Sequence, residues 1–283
     1  MKSSGSEMES RRLEKRLNER FVKAMATYHL IEDDDRILVG LSGGKDSLLL
    51  LELLAKRSKI EHPQFSVEAL HVRMENIHYE TDTSYLQAFC DALGVKLHVK
   101  TTRFETIEDG GFLDEPSGKA ERKMESDERT AEQSSIFNLQ SSIRRKQKQP
   151  CFLCSWNRRK QMFNLAQELG CNKIALGHHQ DDLIHTALMN LMYQGRFGTM
   201  PASLKMCKMP LTIIRPLCMI EEQDIKAYSE MQGYQKQKKQ CPYETDSHRS
   251  DIKRLYETME QMNPEVRYSI WRAIESDNRL IEE

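Results

Sequence analysis

Between Arg36 and Leu54 the chain runs Arg-Ile-Leu-Val-Gly-Leu, then Ser42-Gly-Gly-Lys-Asp-Ser47, then Leu-Leu-Leu-Leu-Glu-Leu-Leu. No other stretch restricts the fold so tightly. A short apolar run, a pair of glycines and a longer apolar run predict a strand, a tight turn and a helix. Glycine lets the turn close and its amides converge, and the helix start adds partial positive charge. Together these make an anion site suited to phosphate. The spacing is not that of the ordinary P-loop: one residue fewer separates Gly40 from Gly44, and Asp46 follows the lysine.

The segments around this loop repeat the same alternation. A mixed basic and apolar pattern over residues 11–30, with Leu13, Leu17, Phe21, Met25 and Tyr28 at helical spacing, predicts an amphipathic helix. Strands are expected at 36–41, 65–72, 96–101, 173–176 and 211–214. Helices are expected at 46–59, 81–93, 155–169, from Asp181 or Asp182 to 194, 221–231, 250–262 and 265–277. Strands separated by helices imply the α/β class, an open parallel sheet with helices on both faces. Residues 105–149 interrupt the pattern with Glu, Lys, Arg, Ser and Gln, a composition that predicts a mobile insertion. We therefore divide the chain into an N-terminal tail and helix (1–30), an α/β nucleotide-binding domain (31–235, insertion included) and a C-terminal helical region (236–283).

The 283 residues are 39% hydrophobic and 30% charged, with a net charge of −1. That balance predicts a polar surface, and neither a bilayer-spanning run nor the apolar core of an export signal is seen. A cytoplasmic protein without membrane contact is expected. Basic residues cluster at 144–148, 158–160 and 236–239, where they can form a local face for a phosphate backbone. Seven cysteines, an odd number, argue against a disulfide framework. Cys151-Phe-Leu-Cys154 fits half a zinc site, a redox pair or part of an iron–sulfur site. Cys241, in Cys-Pro-Tyr243, is the third thiol of interest; Cys90, Cys171, Cys207 and Cys218 read as core or incidental.

Several strings together carry a resemblance. The Ser-Gly-Gly-Lys-Asp-Ser loop is similar to that of the PP-loop, or N-type, ATP pyrophosphatases. With Lys23–Ile31, Pro150-Cys-Phe-Leu-Cys-Ser155, Arg158-Arg159, Ala175-Leu-Gly-His-His-Gln-Asp-Asp182, Ile214-Arg-Pro-Leu217 and Cys241-Pro-Tyr243 in this order, the chain resembles the TtcA family of tRNA 2-thiocytidine synthetases. Ser155-Trp-Asn-Arg-Arg159 stands where that family usually has Ser-Arg-Leu-Arg-Arg. The resemblance implies a PP-loop fold and ATP- and Mg²⁺-dependent adenylation of the C2 carbonyl of a tRNA cytidine, followed by sulfur insertion. It also implies a [4Fe–4S] cluster on Cys151, Cys154 and Cys241, a sulfur donor such as a cysteine desulfurase, and a homodimer.

On this basis Ser42, Gly43, Gly44, Lys45 and Ser47 are expected to hold the ATP phosphates, and Asp46 the Mg²⁺, since a carboxylate beside polyphosphate otherwise repels it. His71, Gly177, His178, Asp181 and Asp182 fall at strand ends, where open α/β sheets place ligand contacts. His71 is equally read as a hydrogen-bonded strand histidine, and one of the two aspartates as a helix cap. Arg158, Arg159, Lys236, Lys238 and Lys239 are candidates for the tRNA backbone. Two other readings stay open. One is a PP-loop tRNA-modifying ligase with structural zinc completed by His178, His179 or His248; the other is a non-catalytic nucleotide- or RNA-binding module.

Overall fold

The computed structural model describes residues 4–75, 82–103, 150–235, 248–277 and 280–282. Of the expected features, the insertion at 105–149 and the stretch holding Lys236, Lys238, Lys239 and Cys241 lie outside these residues, apart from Pro150 at the insertion's edge.

The chain opens with α1 (Ser4–Thr27), longer at its start than the periodicity predicts. Leu13, Leu17, Phe21, Ala24 and Tyr28 are buried along one stripe. Flanking that stripe, Arg16 grips Asp224 through two bonds of 3.0 and 2.6 Å. Strand β1 (Asp35–Gly40) then leads through the glycine loop into α2 (Lys45–Arg57). Leu48 to Leu51 and Leu54 are fully enclosed, so α2 is the central helix of its layer. Its one buried acid, Glu52, is satisfied by the hydroxyls of Tyr228 and Tyr234, both at 2.5 Å, and by Lys56 at 2.8 Å.

Next come β2 (Phe65–Met74), α3 (Thr83–Leu93) and β3 (Lys96–Thr102). Asp82 caps α3 through the amides of Ser84 and Tyr85, and Gly94 ends it in the left-handed region. After the insertion follow α4 (Pro150–Glu168), β4 (Lys173–Ala175) and α5 (Gln180–Gln194). Then come β5 (Ser203–Lys205), β6 (Thr212–Ile214), α6 (Glu222–Met231), α7 (His248–Met262), α8 (Val266–Ser276) and β7 (Ile281–Glu282).

The sheet order is β3-β2-β1-β4-β6-β5-β7. β3, β2, β1, β4 and β6 run parallel, as expected. β5 joins β6 antiparallel and β7 joins β5 parallel, so the far edge is reversed. These two strands are three and two residues long, too short to display an alternating pattern. Along β1, Ile37 and Val39 enter the larger core with α1, α2 and α5, while Leu38 enters a second core with Leu165 and Ala166 of α4. The alternation of a strand buried on both faces therefore places α4, alone among the described helices, against one face, with most other helices on the opposite one.

Two boundaries correct the sequence reading. α4 begins at Pro150 rather than near Ser155, so both cysteines lie within its first turns. Proline is favoured at the first helical position, because its missing N–H has no intrahelical partner to lose. α5 begins at Gln180, with His179 as its N-cap, so neither aspartate starts it.

Candidate active site

Beyond β1 the backbone turns at Gly43, whose φ of 82° favours glycine. Gly44 precedes α2 with no side chain capping the helix, leaving its first amides outside the intrahelical ladder. Two hydroxyls close the loop on itself. Ser47 Oγ donates to Gly44 O at 2.9 Å, receives the Gly43 amide at 3.2 Å and lies 3.1 Å from Ser42 Oγ. Ser42 Oγ receives the Gly44 amide at 3.3 Å. Both serines therefore hold the turn in shape, with its amides converging.

Neighbouring elements press on this turn through two glycines. A Cβ on Gly177 would lie 3.1 Å from the carbonyl carbon of Asp46 and from the Ser47 amide. The space at Gly177 is filled by the start of α2. On the other face, a Cβ on Gly40 would meet Met162 of α4 at 3.0 Å.

His71 is buried, with Nδ1 2.8 Å from the carbonyl of Leu41, the residue leading into the loop. Burial lowers its pKa below the ordinary value against the opposing pull of that bond, and Arg158 of α4 adds to the lowering. The neutral ring donates from Nδ1, so His71 braces the loop from β2. This is the hydrogen-bonded strand histidine of the two sequence readings.

Charged groups gather at the helix starts beside the loop. Lys45 Nζ lies 3.1 Å from Asp46 Oδ1 and 3.2 Å from Glu222 Oε1, at the first residue of α6. Burial acts to lower the Lys45 pKa, but the two carboxylates outweigh it and raise it. His179 is buried among three acids, at 3.9 Å from Asp46, 3.6 Å from Asp181 and 3.5 Å from Asp182. Burial opposes its protonation, yet the surrounding carboxylates raise its pKa. Asp182 Oδ2 accepts the His179 amide at 3.1 Å, capping α5 from inside its first turn. Asp181 accepts the Glu222 amide at 2.8 Å and Arg267 Nη2 at 2.8 Å. His178 has its pKa pushed down to about 4 by burial, with Arg215 at the end of β6 adding to the effect.

Cys154 packs on Met74, the last residue of β2, with Leu153 and Val72. β1 and β2 are parallel with Gly40 opposite Leu70, so Met74 lies beyond the strand end that carries the glycine loop. The first turns of α4, with both cysteines, therefore lie at the same edge of the sheet as the loop. Cys151 is exposed and Cys154 half-buried, one helical turn apart. Their spacing and edge position fit two legs of a metal centre; Cys241 lies outside the described residues. Among the described residues no three His, Cys, Asp or Glu side chains are grouped to hold a metal by themselves. Arg158 is half-buried and Arg159 exposed. Cys90, Cys171 and Cys218 are core residues, as expected, and burial pushes Cys218 up to about 12.

Glu222, Arg267 and Arg215 were not singled out from the sequence. Arg215 alone had a signal, inside the Ile-Arg-Pro-Leu string; the others are brought in by α6 and α8 from distant parts of the chain.

The comparisons with known proteins point one way. The PP-loop domain family matches residues 10–123. A tRNA-cytidine(32) 2-sulfurtransferase of a Marinomonas species is 31% identical over 227 residues, covering 80% of this chain and 69% of that protein. The chain belongs to this family. The sulfurtransferase of Bordetella avium is 28% identical over 94% of the chain and 74% of its own length. Among solved structures, the U34-tRNA thiolase NcsA from Methanococcus maripaludis with its [4Fe–4S] cluster superposes with a TM-score of 0.66 at 25% identity, covering 93% of this chain and 79% of that one. No described helix of this sulfurtransferase-family chain is long and apolar enough to cross a membrane.

Proposed function

We propose that this protein is an ATP-dependent tRNA sulfurtransferase that replaces the C2 oxygen of an anticodon-loop cytidine, at position 32, with sulfur. The observation that carries the reading is the shared edge: the phosphate-binding turn and the Cys151/Cys154 turn of α4 both lie at the carboxyl ends of the parallel strands.

The amides of the glycine loop and of the start of α2 receive the ATP phosphates. Lys45 exchanges its carboxylate partners for phosphate oxygens, and Asp46, released from Lys45, would hold a Mg²⁺ ion, which would offset the phosphate charge. The C2 carbonyl oxygen attacks the α-phosphorus and pyrophosphate leaves. A sulfur nucleophile then adds at C2, and AMP departs with the original oxygen. Positioning and charge neutralisation supply most of the rate. A [4Fe–4S] cluster on Cys151, Cys154 and Cys241 would supply an iron position without a protein thiolate, from which sulfur can be delivered. Arg159 and Lys236, Lys238 and Lys239 hold the tRNA backbone. The sulfur comes from a donor such as a cysteine desulfurase. A homodimer working in the cytoplasm, where tRNA and ATP are both abundant, completes the reading.

Mass spectrometry of nucleosides from total tRNA, with and without the protein, tests the proposal. Loss of 2-thiocytidine in its absence, restored by the wild type and by neither Cys151→Ser nor Cys154→Ser, is the expected result. Loss of 2-thiouridine with 2-thiocytidine intact would support a second reading, thiolation of uridine 34, which the likeness to NcsA favours. Unchanged levels of every thiolated nucleoside would sink both.

A further inference from the structure

Trp156 on α4 is 57% exposed and Phe152, one turn earlier on the same face, is 53% exposed. An exposed indole bordered by cations is a surface suited to contact. Arg159, also exposed, lies on the same stripe, and exposed Lys160 borders it. At 3.6 residues per turn Trp156 and Arg159 stand about 60° apart round the helix, while Trp156 is about 140° from Cys151. The helix therefore turns Cys154 toward the sheet edge, leaves Cys151 exposed and shows a mixed aromatic and cationic face outward.

We propose that this face is a stacking platform for single-stranded RNA, and that it holds unpaired bases of the tRNA loop flanking the one presented at the cysteine side. The chemistry favours RNA over an apolar protein surface. Every base has a π-face that stacks on an indole, a guanidinium plane can add to the stack, and the same two cations neutralise phosphates. An apolar partner would leave Arg159 and Lys160 to be desolvated without compensation. In this chain Trp156 stands where the family string usually has arginine, so the platform is more aromatic here. The inference rests on the tRNA reading above and adds where the loop lies.

The sequence supplies a probe. It holds two tryptophans, and the other, Trp271, is buried at 8% exposure. Emission from the full-length, cluster-loaded protein should therefore report mainly on Trp156. Titration with an unmodified anticodon stem-loop is expected to quench it, with a fully paired RNA of equal length much less effective. Trp156→Ala should weaken stem-loop binding in a filter assay about tenfold, and Trp156→Phe by no more than about threefold, as stacking predicts. Cluster absorbance, ATP affinity and melting temperature should match the wild type in both variants.

Stem-loop binding with no change in emission, or equal affinity in Trp156→Ala, overturns the platform and leaves the sulfurtransferase reading intact. A concentration-dependent emission change without RNA, together with a dimer on gel filtration lost in Trp156→Ala, assigns the face to a second copy of the chain and also overturns it. Absence of any tRNA binding in the filter assay sinks the platform and the sulfurtransferase reading together.

Discussion

Arg267, on the last helix, sets its Nη2 2.8 Å from Oδ1 of Asp181, at the first turn of α5. The same guanidinium reaches Gln180 at 3.3 Å and Glu260 at 3.1 Å, and lies over the Tyr256 ring at 5.4 Å. The C-terminal helices are thus locked onto the site through one buried aspartate, whose Oδ2 holds the start of α6.

Arg267→Ala should be costly for that reason. Burial alone would raise the Asp181 pKa, but His179, Arg267 and the Glu222 amide outweigh it and hold it well below the carboxylate range. Removing the guanidinium leaves a buried charge short of its main partner, a loss on the order of 3 kcal/mol. Calorimetry at pH 7 should show a melting temperature lower by about 6–12 °C. A depressed carboxylate contributes stability present above its unfolded pKa and lost as pH falls, so the variant's deficit should shrink below about pH 4. A deficit independent of pH would contradict this account.

Gly177→Ala tests the packing of β4's exit against the loop. The added methyl must push back the backbone of Asp46 and Ser47, and overpacking of this kind costs about 1–3 kcal/mol. Because the displaced amides are those offered to phosphate, ATP affinity measured by calorimetric titration should drop at least tenfold, roughly 1.4 kcal/mol or more. Wild-type affinity would place the phosphates elsewhere.

In the proposed mechanism Glu222 competes with the ATP phosphates for Lys45. Its carboxylate gathers Lys45, Lys226 and Lys253 within 3.2, 3.1 and 3.6 Å. Burial would raise its pKa, but the bond to Lys226 and the charge of Lys45 bring it down to about 2. Glu222→Gln removes one negative charge beside the loop and should tighten ATP binding about three- to tenfold at low ionic strength, the gain fading as salt screens it. Weaker binding would instead make Glu222 part of the nucleotide site.

His178 should make the fold acid-sensitive. Its folded pKa of about 4 lies below the ordinary 6.5. The neutral ring's contribution to stability is complete above pH 6.5 and is lost as pH falls toward 4, at up to about 1.4 kcal/mol per pH unit. His179, with its pKa raised, has the opposite sign but acts above pH 6.5, outside this window. Denaturant unfolding between pH 7 and 4 should therefore show a flatter profile for His178→Asn than for the wild type. Parallel profiles would assign the acid sensitivity to other groups.

Much of the architecture was legible because it rests on local signals. The apolar runs at Ile37–Leu41 and Leu48–Leu54, the glycines between them and the leucine stripe of α1 each state their own conformation. β5 and β7 were not legible, since strands so short are made by their neighbours' open edges. The start of α4 was misplaced because polar residues ahead of Cys151 masked a proline start signal. At the site, the glycine loop and the cysteine pair were readable as strings, whereas Glu222 and Arg267 were not, as each is an ordinary charged residue until α6 and α8 deliver it.

The amino-acid order by itself determined the strand–glycine–helix unit, the α/β alternation and the presence of a two-thiol turn, since each follows from contacts between near neighbours along the chain. Only the tertiary structure decided that Gly177 yields space to the backbone of α2, that His71 braces Leu41, that Asp181 is committed to Arg267 and the Glu222 amide, and that the cysteine turn shares an edge with the phosphate turn. These depend on which strands lie side by side and where distant helices end, and long-range packing sets both.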